Sequence, residues 1–192
     1  RFVDPADGQA YTYSQFEVPD ARRVYTTFEQ PDLKSTFTLT VKAPKGWKVF
    51  SNAPTPAPEE DGEAWVYRFA TTEVMSTYIT AIVAGPYEGT TATLTSSDGR
   101  TIDLGVYARA SIIEHLDADE IIEITRQGFE FFEGAYGIAY PFTKYDQIFV
   151  PEYNAGAMEN AGCVTFRDAY VFRTRPTEAQ MEARANTILH EL

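Results

Sequence analysis

Cysteine is nearly absent from this 192-residue sequence. Cys163 stands alone, so no intrachain disulfide can form and no thiolate-rich zinc site can be built. Histidine is almost as scarce, with His115 and His190 the only two. Positive charge is in deficit: 16 Lys and Arg stand against 28 Asp and Glu, a formal net charge of −12. Such a field repels phosphate backbones and anionic lipid, which argues against nucleic acid, and it favours cationic ligands such as peptide ammonium groups. Long apolar runs are missing as well. The longest, residues 78–85, falls far short of the ~18 residues of a membrane span, so no membrane span is expected in this segment. With the lone cysteine, this predicts a soluble chain in a reducing, cytoplasmic setting. The start, Arg1-Phe2-Val3, carries neither an initiator Met nor a basic and apolar leader, and is expected to be a cut end, with a signal peptide further upstream left open. What is present in quantity is apolar and aromatic: 44% and 14% of residues, enough for a packed core rather than a disordered tail.

Period-two alternation runs through the first hundred residues. Phe37, Leu39 and Val41 fall on one face while Thr38, Thr40 and Lys42 take the other, as on half-buried strands. Further strands are predicted over 47–50, 64–69, 78–83, 92–95 and 102–107, with Asp98-Gly99 suited to a tight hairpin. Residues 52–63, with three prolines beside Glu59, Glu60 and Asp61, read as a solvated loop. No internal repeat is seen. From Asp117 onward Ile121, Ile124, Gly128, Phe131 and Ala135 recur at steps of three and four, which predicts a helix with Asp117 as N-cap and Gly137 at its end. Strands over 147–151 and 163–172 come next, separated by a Gly-bearing segment. A last helix begins near Pro176 or Thr177, where Thr177 and Gln180 have capping-box spacing, and its predicted buried stripe is Met181, Ala185, Ile188 and Leu192. His190 lies about 200° around from Ile188 and so faces away from that stripe.

The chain closes on His190-Glu191-Leu192, the opening of an HExxH pattern, in which two histidines one helical turn apart grip zinc and the intervening Glu works on water. Alone, a His-Glu pair at a helix end is better read as a surface His beside a solvated Glu. Upstream lies Gly156-Ala157-Met158-Glu159-Asn160, with Glu159 32 residues before Glu191 (191 − 159). Taken singly this is a Gly-bearing loop with an exposed Glu. Further upstream, Gln15 and Glu17 are two apart in Tyr13-Ser14-Gln15-Phe16-Glu17, so an extended chain can turn both toward one site, or toward water on an edge strand. Arg22 and Arg23 read as salt-bridging residues at a domain junction.

The GAMEN run followed by the start of HExxH on a helix resembles the zinc aminopeptidases of the aminopeptidase N family, in its bacterial branch, over essentially the whole chain. The resemblance implies an α+β fold in two pieces. Residues 1–108 would be the C-terminal part of an antiparallel, saddle-like β domain, and 109–192 the first part of a thermolysin-like zinc peptidase domain, truncated inside HExxH. It also implies residue roles: His190 as first zinc ligand, Glu191 as general base, Glu159 and Glu17 on the free ammonium of a peptide substrate, and Gln15 lining the first side-chain pocket. The backbone of Gly156 and Ala157 would lie beside the substrate like an added strand, with Met158 and Asn160 completing the substrate-binding motif. Ala155 stands where some relatives have Met. Epoxide hydrolases of the same superfamily resemble GGMEN where this chain has Ala157, which favours peptidase. A binding scaffold that lost its metal is the rival from another class, and retention of Glu159, His190 and Glu191 argues against it.

The residue types suit release of N-terminal amino acids. Zinc lowers the pKa of bound water to about 7, and a carboxylate beside a ligand can take that water's proton and pass it to the departing amine. Two carboxylates on one ammonium read a free N-terminus. With the second His, the ligand Glu and the oxyanion Tyr all expected beyond Leu192, the 192 residues alone are expected to hold zinc weakly or not at all, and to be inactive.

Overall fold

The computed structural model describes residues 1–192. Its strands are β1 (Phe2–Val3), β2 (Ala10–Tyr13), β3 (Thr40–Pro44), β4 (Lys48–Ser51), β5 (Glu59–Asp61), β6 (Ala64–Arg68), β7 (Ile82–Gly85), β8 (Tyr87–Thr95) and β9 (Thr101–Arg109). Helix α1 (Ala118–Tyr136), β10 (Lys144–Val150), β11 (Ala157–Met158), β12 (Cys163–Arg167) and α2 (Glu178–His190) complete the chain. The strands form three sheets, ordered β1-β2-β7-β4, β3-β6-β5 and β11-β12-β10-β9-β8. The fold is α+β, as the sequence predicts. The first two sheets are antiparallel, while β10 runs parallel to both β9 and β12.

Alternation holds where it was read. Phe37, Leu39 and Val41 are half-buried and Ala43 is buried, while the residues between them are exposed. Asp98-Gly99 turns β8 into β9, with the Ser96 N–H donating to Arg100 O at 2.9 Å and Gly99 at φ +85°. Two segments differ. Residues 59–61 are not loop but an exposed edge strand paired with β6, and Lys42, Lys45 and Arg68 form surface ion pairs with Asp61, Glu60 and Glu59; a charged edge also discourages pairing with other chains. The strand predicted from residue 78 starts only at Ile82, since Thr77–Ile79 forms a 3-10 turn in which the Thr80 hydroxyl donates to Thr77 O at 2.8 Å.

The five-stranded sheet decides how the pieces join. Every residue of β10 is buried, because the sheet is covered on both faces. Tyr145 and Phe149 face a core with Leu104, Ile121, Phe129 and Ile188 beneath the helices, while Ile148 and Val150 face Tyr11, Phe50, Val83 and Met158 beneath the first sheet. By hydrogen bonding, β8 and β9 go with β10 and β12, so a cut between 108 and 109 falls at the end of a strand that belongs to the same sheet as the second half of the chain. The buried Arg109 clamps this junction: it pairs with Asp4 and, at 2.8 Å, with Asp168. Arg22 and Arg23, assigned that task from the sequence, make only surface contacts, with the Arg22 N–H on Glu29 and Arg23 on Asp20 at 3.5 Å.

Both helices sit where predicted, with their buried faces rotated. On α1 the inward residues are Ile121, Ile122, Thr125, Gly128, Phe129 and Glu133, whereas Phe131 and Ala135 are exposed. Gly128 lets the helices close up: a Cβ there would lie 2.7 Å from Leu189. On α2 the predicted stripe fails at Met181, which is exposed, and Arg184 takes the buried place one turn before Ile188. Arg184 is 1% exposed because Asp117 (2.9 Å), Glu120 (2.8 Å) and Tyr170 O (3.1 Å) accept its donors, and it lies over the Phe172 ring. Asp117 does occupy the N-cap of α1, but its side chain makes no cap hydrogen bond and serves Arg184 instead. Thr177 and Gln180 form the predicted capping box, and Gly137 ends α1 at φ +65°.

Candidate active site

Three separate segments bring carboxylates together. Beyond β2 the chain stays extended through Ser14, whose N–H donates to Ile82 O at 2.9 Å. Buried Phe16 anchors the next residues, leaving Gln15 half-buried and Glu17 exposed on either side of it. The GAMEN run comes after β10. Gly156 O accepts the Arg167 N–H at 3.0 Å, and Ala157 and Met158 pair with Phe166 and Thr165 of β12. Alternation then buries Met158 in the core, exposes Glu159 and buries Asn160, whose amide donates to the Thr165 hydroxyl at 3.3 Å. Strand β11 is the outermost of its sheet, so its far side meets no other strand of this chain. The third segment is the end of α2. Glu191 caps the helix, its N–H donating to Thr187 O at 3.1 Å and its carbonyl accepting the Tyr145 hydroxyl at 3.2 Å.

The three carboxyls influence one another electrostatically. Glu191 is 8% exposed, and its carboxyl is pushed up to about 7, first by burial and then by the charges of Glu159 and Glu17. Its Oε2 is buried without a hydrogen-bond partner. Tyr78 is raised by burial and by the charges of the same two glutamates. Burial pushes Tyr153 to about 12, with Glu191 and Glu17 adding to the rise, and its hydroxyl donates to Gln15 Oε1. None of the three glutamates takes part in an ion pair with Lys or Arg, although several other acids in the chain do. Carboxylates gathered without a counter-charge suit a cationic ligand.

His190 is different in setting. It is the exposed last residue of α2, its side chain makes no hydrogen bond or ion pair, and it lines a cavity of about 510 Å³ with Phe129, Phe132, Tyr136, Tyr140 and Leu189. No group of three or more His, Cys, Asp or Glu side chains is clustered to hold a metal ion. A roomier cavity, about 730 Å³ beside Lys48, Tyr107, Lys144 and Asp146, shares no residue with the carboxylates. Sequence reasoning missed Tyr78 and Tyr153. Tyr78 sits in a run that reads as strand and Tyr153 in one that reads as loop, and neither period nor spacing marks a phenol as lining a site.

The fold agrees with the comparisons with known proteins. Residues 1–79 match the Peptidase M1 N-terminal domain and residues 120–192 the Peptidase family M1 domain. The chain belongs to peptidase family M1. Over its whole length it is 59% identical to the Aminopeptidase N of Streptomyces lividans, covering 22% of that protein. It is 31% identical, again over its whole length, to the Probable aminopeptidase 1 of Sulfurisphaera tokodaii, covering 24% of it. With human Aminopeptidase N it shares 34% identity over 93% of this chain and 19% of that protein. The chain thus spans about a fifth to a quarter of the length of these relatives.

Proposed function

We propose that the chain carries the part of an aminopeptidase active site that reads a free N-terminus and moves the proton in hydrolysis of the first peptide bond. The observation that supports this most is that the charges of Glu17 and Glu159 act on the buried Glu191 carboxyl while none of the three pairs with Lys or Arg. A peptide ammonium fills that place. Glu159 and Glu17 accept its N–H groups, and each charged hydrogen bond contributes roughly 1.5–3 kcal/mol. The open edge of β11 at Gly156 and Ala157 suits a substrate lying as an added strand, held by main-chain hydrogen bonds. Glu191, sheltered beside the bound N-terminus, accepts a proton from the attacking water and returns it to the departing amine.

Zinc, which the resemblance implies, takes three or four protein donors. This chain would bring one, His190, so the residues present do not by themselves make up a zinc site. The test is kinetic, in an enzyme of the relatives' length carrying this sequence. Glu159→Ala is expected to raise KM for a free peptide by about 10- to 100-fold, and to narrow the preference over the N-acetylated peptide. Equal kinetics of the parent and the variant on both peptides would remove Glu159 from the role.

A further inference from the structure

One tyrosine joins the segment after β2 to the segment before β11. Tyr153 is 7% exposed, lies between β10 and β11, and donates its hydroxyl hydrogen to Gln15 Oε1 across 138 residues of sequence. The side chain is held from several directions. Its ring meets Tyr13 edge-on at 5.4 Å, and the Tyr13 hydroxyl donates to Glu152 O at 3.1 Å. Glu152 is the only non-glycine residue with positive φ, +49°, a conformation a β-carbon disfavours; the chain adopts it at the residue that aims Tyr153. Burial keeps the phenol protonated across the neutral range, so it remains a donor.

A glutamine amide has one accepting and one donating end, and its two orientations differ little in shape. We propose that Tyr153 is a positioning residue that locks the Gln15 amide with Oε1 turned to the protein, leaving the two Nε2 hydrogens to meet an acceptor atom of the substrate. The inference rests on the aminopeptidase reading and adds to it a preference: Gln15 recognises an oxygen, not a donor, near the first residue of the peptide. A pre-oriented donor binds more tightly than a free one because its ordering cost is already met in the folded protein.

The experiment is a double-mutant cycle with Tyr153→Phe and Gln15→Ala, in an enzyme of the relatives' length, using peptides with a free N-terminus. Tyr153→Phe keeps the ring and its packing. The expected result is a rise in KM of about three- to tenfold, the range of one neutral hydrogen bond, with kcat within about twofold. Gln15→Ala should raise KM at least as much, and adding Tyr153→Phe to it should change nothing more. Unchanged KM in Tyr153→Phe, a loss confined to kcat, or a loss that persists undiminished in the Gln15→Ala background would overturn the positioning role. No hydrolysis by the unaltered enzyme would instead overturn the aminopeptidase reading, and this inference with it.

Discussion

Around Arg184 each negative charge has a cation, whereas around Glu191 none has. Asp117 and Glu120 from the start of α1 reach one guanidinium buried between the helices, and Asp4 and Asp168 do the same for Arg109 at the sheet junction. Glu17, Glu159 and Glu191 come from equally distant parts of the chain, yet they gather with only tyrosines and an amide for company. The first arrangement holds elements together. The second costs stability, since a buried carboxylate beside like charges is disfavoured until something positive arrives. Asp4, Asp117, Glu120 and Asp168 each have an arginine partner, whereas none of Glu17, Glu159 and Glu191 pairs with Lys or Arg, which is the feature the proposed ammonium site rests on.

That contrast is broken most directly at Glu191. If its carboxylate serves chemistry, Glu191→Gln in an enzyme of the relatives' length should lower kcat by about 100-fold or more, the range for a lost general base. The same change should leave thermal stability equal or slightly higher, because it removes a negative charge from a crowded group. A variant that keeps its kcat, or one that is markedly less stable, would put Glu191 with the structural acids.

Arg184 should behave in the opposite way. Arg184→Met keeps the apolar stem but leaves Asp117 and Glu120 without their partner and Tyr170 O without a donor. Because both carboxylates can turn to water, the expected loss is about 2–3 kcal/mol, below the 3–5 kcal/mol of a fully buried pair. Urea denaturation of the 192-residue chain measures it. An unchanged midpoint would mean that the ion cluster is dispensable, and the contrast with the cleft would lose one side.

Much of the fold could be read from residues alone, and the failures share a cause. Period-two patterning located most strands but missed β5 and ran β12 on to residue 172, where it gives way at Arg167 to a 3-10 turn, Asp168–Tyr170; cap chemistry located helix ends at Gly137 and Thr177. The resemblance carried by the GAMEN run and the His-Glu pair implies one site; in the structure the charge of Glu159 acts on Glu191, while His190 lines a separate cavity. Faces of helices were less legible, because hydrophobicity predicted burial at Met181 and Phe131 while the packing buried Arg184 and Glu133. A charged side chain goes inside only if partners elsewhere satisfy it, and those partners lie in other elements: Asp117 and Glu120 for Arg184, Ser96 and Ser97 for Glu133. The tyrosines of the cleft were missed for the same reason. Tyr153 matters through Gln15, a contact that no local pattern encodes.

Glu133 gives the smallest test, and it separates hydrogen bonding from ion pairing as the way a buried carboxylate is held. Burial alone would raise its pKa, but the Ser96 hydroxyl and the Tyr140 and Ser97 N–H groups outweigh that and hold it below the ordinary value. A folded pKa below the unfolded one means stability that is present above the unfolded pKa, about 4.3, and lost as pH falls through the folded value. Glu133→Gln keeps one acceptor oxygen but turns an amide N–H₂ toward a donor. It should therefore cost about 1.5 kcal/mol at pH 7, with the gap between parent and variant closing as pH drops from about 5 toward 3. Taking the difference between the two denaturation curves cancels the titration of Asp4, whose carboxyl is also held low. A gap that stays constant with pH would show that packing, and not the charge on Glu133, ties the end of α1 to the β8–β9 turn.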